Sequence, residues 1–363
     1  MNHTKSELRQ MQSMSLEYKI LATQERIKAW YEGWTRFNIR NLATGDERFE
    51  TIDTRDYCAE PKIGDDEMIE SAYPGQVYVS FSGGKDSTVL LDLARRIYPD
   101  IPAVFVDTGL EYPELREFVK GFENVVWLKP QMNFRQVIQK YGYPLISKDV
   151  ANTLKGGHKP GSYRWKKLHG EVFLKNGKPS KFNCVKWKFL LDAPFKVSDE
   201  CCDVMKKRPL HKYQKETGQR PIVATMADES MMRKNSWIKY GCNAFDRASG
   251  PQSRPMSFWT EQDVLEYIKT FGVAYASVYG DIVETEHGLD TTKCKRTGCV
   301  FCGFGCHLEK EPNRFQRLQV THPALYNYCM KPWEKGGLGM KEPLEYIGIQ
   351  TENKEANNDT FSK

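Results

Sequence analysis

The stretch that decides the fold is Val77–Gly109, VYVSFSGGKDSTVLLDLARRIYPDIPAVFVDTG. Val77–Phe81 is an apolar run too short for anything but a buried strand. Ser82-Gly83-Gly84-Lys85-Asp86-Ser87 then packs two glycines, two hydroxyls, a cation and a carboxylate into one turn. Over Ser87–Ile97 the residues Val89, Leu90, Leu93, Ala94 and Ile97 fall on one helical face. Pro102–Val106 is a second apolar run, closed by Asp107-Thr108-Gly109. Strand, turn, helix and strand in this order form the repeating unit of a parallel sheet.

The alternation continues outward. Glu114–Lys120 reads as a helix, Val125–Leu128 as a third strand, Phe134–Tyr141 as a helix and Pro221–Met226 as a fourth strand. Thr260 with Asp263 makes a capping box ahead of Val264, Leu265 and Ile268. Upstream, Ile20, Leu21, Ile27, Trp30, Tyr31 and Trp34 recur at helix-like spacings, and Pro74-Gly75 marks a turn. The expected organisation is a helical extension over 1–72 and a nucleotide-binding α/β domain over 73–245, with helices on both faces of its parallel sheet. A basic insertion interrupts that domain over 148–188. A helical, cysteine-rich segment over 246–345 and a polar, flexible tail over 346–363 follow.

Composition narrows the class. The chain has 363 residues, 40% of them hydrophobic, enough for a real core. No stretch approaches the roughly 20 apolar residues of a membrane helix. The opening MNHTKSELRQMQSMSLEYK is polar, so the expectation is a soluble, cytoplasmic protein with no membrane partner. A net charge of +6 permits a nucleic-acid partner without demanding one. Ten cysteines in such a chain point to metal binding rather than a disulfide framework.

The turn suits a phosphate. In open α/β sheets ligands sit beyond the carboxyl ends of the strands. Gly83 and Gly84 are expected to take positive φ and bring main-chain N–H groups close to an anion, at the N-terminus of a helix. Lys85 adds a mobile charge, and Ser80, Ser82 and Ser87 add hydroxyls. The pattern is neither G-x-x-x-x-G-K-[ST] nor G-x-G-x-x-G. It resembles the pyrophosphate loop of the ATP pyrophosphatases, which cut ATP between its α and β phosphates. Asp107 and Thr108 end the next strand, where a carboxylate can contact a nucleotide or Mg²⁺, or cap a helix.

Further motifs extend the likeness over Val77–Met330: VFVDTGLEYPEL, CCDVMKKRPL (Cys201–Leu210), ATMADESMMR (Ala224–Arg233) and TGCVFCGFGC (Thr297–Cys306). Together they resemble the phosphoadenylyl-sulfate (PAPS) reductase family. The resemblance implies a Rossmann-like sheet of the adenine nucleotide alpha-hydrolase type. It also implies that Glu229, Ser230 and Arg233 face the phosphate or sulfate end of the nucleotide; an arginine fork suits such an oxyanion. Without the family, Arg233 reads equally as a surface ion pair.

Two departures stand out. The reductases usually carry a degenerate glycine loop, whereas Lys85 and Asp86 are both kept here, as in ATP-splitting relatives. The reductases also use a cysteine in a C-terminal E-C-G-L-H motif, and no cysteine follows Cys329. The iron–sulfur ATP pyrophosphatases of DNA phosphorothioation are the nearest functional likeness.

Cys294, Cys299, Cys302 and Cys306 form C-x4-C-x2-C-x3-C. This local set could hold zinc or an iron–sulfur cluster. The resemblance implies instead a split set, Cys201, Cys202, Cys299 and Cys302, around a [4Fe–4S] cluster, whose separate corners tolerate the diverging side chains of adjacent cysteines. Cys58, Cys184, Cys242 and Cys329 read as packing residues.

In the insertion, Lys155–Lys181 mixes Lys and Arg with Tyr163 and Trp165, a composition for neutralising phosphates and stacking on bases. It reads equally as a solvated hairpin turning at Asn176-Gly177.

The expectation is an AMP-forming ATP pyrophosphatase that uses Mg²⁺, with Lys85 and Asp86 as catalytic residues. It would adenylate an acceptor for sulfur incorporation. Expected partners are an adenine nucleotide, a DNA or RNA acceptor, a sulfur donor protein such as a cysteine desulfurase, and a second copy of the chain. The alternatives are a sulfonucleotide reductase and a nucleotide-binding module without turnover.

Overall fold

A computed structural model describes residues 3–55 and 59–353, so Cys58 and the end of the expected tail lie outside the described residues. The chain folds as two compact units. The first comprises Met1–Asp107, Tyr112–Leu128 and Leu210–Thr297; the second comprises Thr108–Glu111, Lys129–Pro209 and Gly298–Lys363.

The first unit is built on a six-stranded sheet: β1 (Val77–Ser80), β2 (Ala103–Val106), β3 (Val125–Leu128), β4 (Arg220–Ile222), β5 (Asn243–Ala244) and β6 (Gln252–Ser253). Their order is β3-β2-β1-β4-β6-β5. All neighbours are parallel except the edge pair β5 and β6. The class is therefore α/β with a mainly parallel sheet, as the alternation predicts. β1 runs at the centre, with Val79 paired to Ala103 on one side and Ile222 on the other. Burial on both faces explains its unbroken apolar run: Val77, Tyr78 and Val79 are fully buried. Strand order reverses between β1 and β4, so the turn after β1 stands at the topological switch point, where such sheets bind ligands.

The helix after the turn, Lys85–Arg95, is buried on nearly every side. Helix Leu16–Glu32 contributes Ile27 and Trp30 to the same core as Val89 and Leu90. From helix Glu261–Phe271, Tyr267 donates its hydroxyl to Asp92 at 2.6 Å. The capping box at Thr260 and Asp263 forms as predicted.

Three sequence expectations need correction. Residues 1–72 are not a helical extension. Helix Leu16–Glu32 stops at Gly33, and Trp34–Asn41, Glu47–Asp53 and Glu67–Pro74 form an antiparallel sheet. The apolar spacing runs on to Trp34 across Gly33, but the glycine ends the helix, and the aromatic and β-branched residues beyond it favour strands. Nor does the sheet end at 245, since β6 pairs with β4 beyond it. The fourth strand is also shorter than Pro221–Met226, ending at Ile222.

One buried ion pair ties the N-terminal helices to this core. Lys19 Nζ lies 2.7 Å from both Asp263 oxygens and 2.7 Å from the Gln12 carbonyl. Lys19 is only 2% exposed. Asp263→Ala would strand that charge and uncap the helix, an expected loss of about 3–5 kcal/mol. Urea unfolding measures it; a loss below about 1 kcal/mol would show that the pair is dispensable.

In the second unit, Gly303–Phe304 pairs in parallel with Leu145–Ile146, and helices Phe134–Tyr141, Lys148–Lys155, Arg314–Thr321 and Pro323–Met330 surround it. No described helix is long and apolar enough to cross a membrane.

Candidate functional site

Ser80 closes β1, half-buried and paired with Val104. The glycines that follow do different jobs. Gly83 has φ +73°, and a Cβ there would come 2.7 Å from the Val119 methyl, so only glycine fits. Gly84, contrary to expectation, has φ −73°. It is glycine for space, because a Cβ would press on the Tyr279 and Thr297 hydroxyls, each at 3.2 Å.

The turn's main-chain amides are partly engaged by hydroxyls. Ser82 N–H donates to Ser87 Oγ at 3.2 Å, Gly84 N–H to Ser82 Oγ at 3.4 Å, and Lys85 N–H to the Tyr279 hydroxyl at 3.1 Å. Tyr279 is itself 2.8 Å from Thr297 Oγ1. Helix Lys85–Arg95 has glycine, Gly84, at its N-cap and so no capping side chain from that residue. Its first-turn N–H groups and the helix field therefore face the turn. Each engaged amide is held by a rotatable hydroxyl, which an oxyanion of higher charge can displace.

Lys85 is 3% exposed. Its Nζ sits 3.2 Å from Asp86 Oδ1 and 3.0 Å from Glu261 Oε1. Burial works against the Lys85 charge, but Asp86 and Glu261 outweigh it and hold the pKa above the usual lysine range. Asp86 Oδ1 is buried yet accepts no well-formed hydrogen bond among the described residues. It is thus the oxygen best placed to take a hard cation.

The expected oxyanion residues stand on the same unit. Ser230 caps helix Met231–Tyr240 through Arg233 N–H, and Glu229 ion-pairs with Arg233 and, at 3.8 Å, with Arg296. Burial and then Arg296 pull the Arg233 pKa down, while Asp86 pulls it up. Arg254 is pushed down to about 10 by burial, by Arg247 and by Arg233. Its guanidinium bonds only neutral groups, Ser236 and Gln252, in the hydrogen bonds found among the described residues. Arginines that repel one another in a half-buried setting form a receptor for anions. Asp107 ion-pairs with Arg116 at 2.8 Å and does not cap the next helix, Pro113–Lys120, whose N-cap is Tyr112. In the second unit, Thr108 Oγ1 donates to Glu111 at 2.7 Å in a closed turn.

Sequence reasoning missed Tyr279, Glu261, Arg254, Arg247 and Arg296. None lies at a telling spacing from the turn, so only the fold brings them to it.

The second unit assembles cysteines. Cys201 and Cys202 are neighbours in one helix turn, and Cys299 and Cys302 lie within electrostatic range of them. Cys201, aided by Lys148 and Lys206 against the cost of burial, favours the Cys202 thiolate. Burial raises Cys299, and Cys302 is pushed up to about 11 by burial and by Cys299. Lys206, which lies within CCDVMKK but carried no expected role, stands beside Cys299 and 3.8 Å from Glu111. Arg314 donates to the Cys302 carbonyl at 2.9 Å.

The other cysteines sit differently. Cys294 belongs to the first unit and donates to the Arg296 carbonyl at 2.9 Å. Cys306 is buried, its thiol pushed up to about 12 by burial and Glu309. Cys184, Cys242 and Cys329 are buried. Among the described residues no three His, Cys, Asp or Glu side chains converge on a single-ion position. Four thiols of one unit, with Lys148, Lys206 and Arg314 close by to offset thiolate charge, have the donor chemistry of a thiolate-held metal centre.

A switch-point glycine turn with a buried lysine and neighbouring arginines defines an α/β protein built to hold an anionic ligand. The chain belongs to the phosphoadenosine phosphosulfate reductase domain family, which matches residues 76–147 and 172–303, more than half its length. It is 26% identical over 281 residues to an uncharacterised protein of Methanocaldococcus jannaschii, covering 74% of this chain and 50% of that one. It is 24% identical over 245 residues to an adenosine 5'-phosphosulfate reductase of Staphylococcus haemolyticus, covering 65% and 77%. The chain spans only 50% and 36% of two uncharacterised archaeal relatives. Among solved structures, the phosphate complex of Candida auris phosphoadenylyl-sulfate reductase matches with 16% identity and a TM-score of 0.33, over 59% of this chain and 83% of that one.

Proposed function

We propose that the protein binds ATP with Mg²⁺ at the Ser82–Ser87 turn, releases pyrophosphate and adenylates an acceptor that then receives sulfur. The observation that carries this reading is the complete turn itself: Gly83 at positive φ, the helix with glycine at its N-cap, and buried Lys85 beside Asp86. The turn's N–H groups and Lys85 would hold the β and γ phosphates and offset charge on the departing pyrophosphate. Asp86 would help hold Mg²⁺. Arg233, backed by Arg254, would receive the α-phosphate or the acceptor's oxyanion. Cys201, Cys202, Cys299 and Cys302 would hold a [4Fe–4S] cluster, which when bound would supply redox or sulfur chemistry. Lys148, Lys206 and Arg314 would balance its thiolates.

A second reading, reduction of adenylyl sulfate, draws support from the likeness to the Staphylococcus haemolyticus adenosine 5'-phosphosulfate reductase. One assay separates the two. Pyrophosphate release from ATP supports the first; sulfite from adenylyl sulfate and a thiol reductant, with no pyrophosphate from ATP, supports the second.

A further inference from the structure

We propose that the second unit carries a binding surface for single-stranded nucleic acid: an aromatic row leading into a cationic cavity. The cavity, of about 770 Å³, is walled by Tyr141, Phe195 and Trp333 with Lys155, His158 and Lys196; among the described residues no carboxylate lines it, and Glu200, outside the lining, ion-pairs with Lys155. A row of rings leads to it across the surface. Trp187 and Phe189 lie 6.2 Å apart between centroids, Phe189 and Tyr346 5.8 Å, and Tyr346 and Phe195 5.3 Å. Phe189 and Tyr346 are 42% and 43% exposed.

Cations accompany the row. Lys186 stands 4.8 Å from the Trp187 ring, and Lys188 and Lys196 are exposed. The hairpin at Asn176-Gly177 does form, with Leu174 N–H donating to the Lys178 carbonyl at 2.8 Å. It is not merely a solvated loop, because it leaves Phe173, Leu174 and Phe182 exposed among lysines.

Two exposed rings, Phe189 and Tyr346, with half-buried Trp187 and Phe195 packed tilted or edge-on against them and lysines alongside, match what an unpaired strand offers: base faces along one edge and phosphates along the other. A duplex hides its base faces and would find only the lysines. The cavity's aromatic walls and Lys155, Lys196 and His158 suit one nucleotide turned inward. That this strand is the acceptor rests on the proposed activation chemistry; its binding does not.

The test is fluorescence anisotropy with labelled single-stranded DNA and RNA oligonucleotides, their duplexes and free AMP, on the full chain. The account predicts that single strands bind more tightly than duplexes or AMP, and that affinity falls as salt rises. Phe189→Ala with Tyr346→Ala should weaken single-strand binding about tenfold or more. Tyr346→Phe should keep it, and Lys155→Ala with Lys196→Ala should flatten the salt dependence. Circular dichroism of each variant checks folding. No binding at low salt, binding of AMP alone, equal binding of duplex, or unchanged affinity in the folded aromatic variant would overturn the inference. Strand binding that is lost in the variants but never stimulates pyrophosphate release supports the surface and counts against the activation chemistry.

Discussion

Lys85→Met is expected to lower pyrophosphate release from ATP by about 100- to 1,000-fold, the usual cost of removing one preorganised charge from a developing anion. The side chain is buried and held between Asp86 and Glu261, so its charge is fixed at the turn. Methionine fills a similar volume, and the variant should fold. Steady-state kinetics with ATP and Mg²⁺ measure the effect. Glu261→Gln is the companion: it removes one of the two carboxylates on Lys85 and leaves the lysine in place, so its effect should be far smaller. Equal losses in both would mean that the triad supports the fold rather than the phosphates.

The second large effect concerns the cysteines. Cys299→Ser should abolish iron and sulfide in anaerobically purified protein, and so should Cys202→Ser. Cys294→Ser should leave both contents unchanged, because its thiol belongs to the other unit and bonds the Arg296 carbonyl. Metal and acid-labile sulfide analysis, with the visible absorption of the cluster, reads the outcome. Zinc without sulfide in the unaltered chain, or loss of metal on Cys294→Ser, would replace the split set with another.

The sequence reveals the centre of the fold and hides its margins, for physical reasons. Val77–Phe81 was readable because a strand buried on both faces is an unbroken apolar run, and Gly83 because a positive φ demands glycine. β5 and β6 have two residues each, too few for any periodicity to register. The strands over Trp34–Pro74 were masked by the helix before them, whose apolar spacing runs on to Trp34 across Gly33. The turn was visible as a contiguous motif. Its hydroxyl partner Tyr279, its second carboxylate Glu261 and the arginines Arg254 and Arg296 come from distant segments and carry no local signature. The aromatic row was half visible, through Trp187; Tyr346 joins it only in three dimensions.

The most direct measurement is a crystal structure with a non-hydrolysable ATP analogue and Mg²⁺. The account predicts β- and γ-phosphate oxygens on the N–H groups of Gly84 and Lys85, with the Ser82 and Tyr279 hydroxyls displaced from them. A nucleotide bound elsewhere, with those hydroxyl bonds intact, would contradict it.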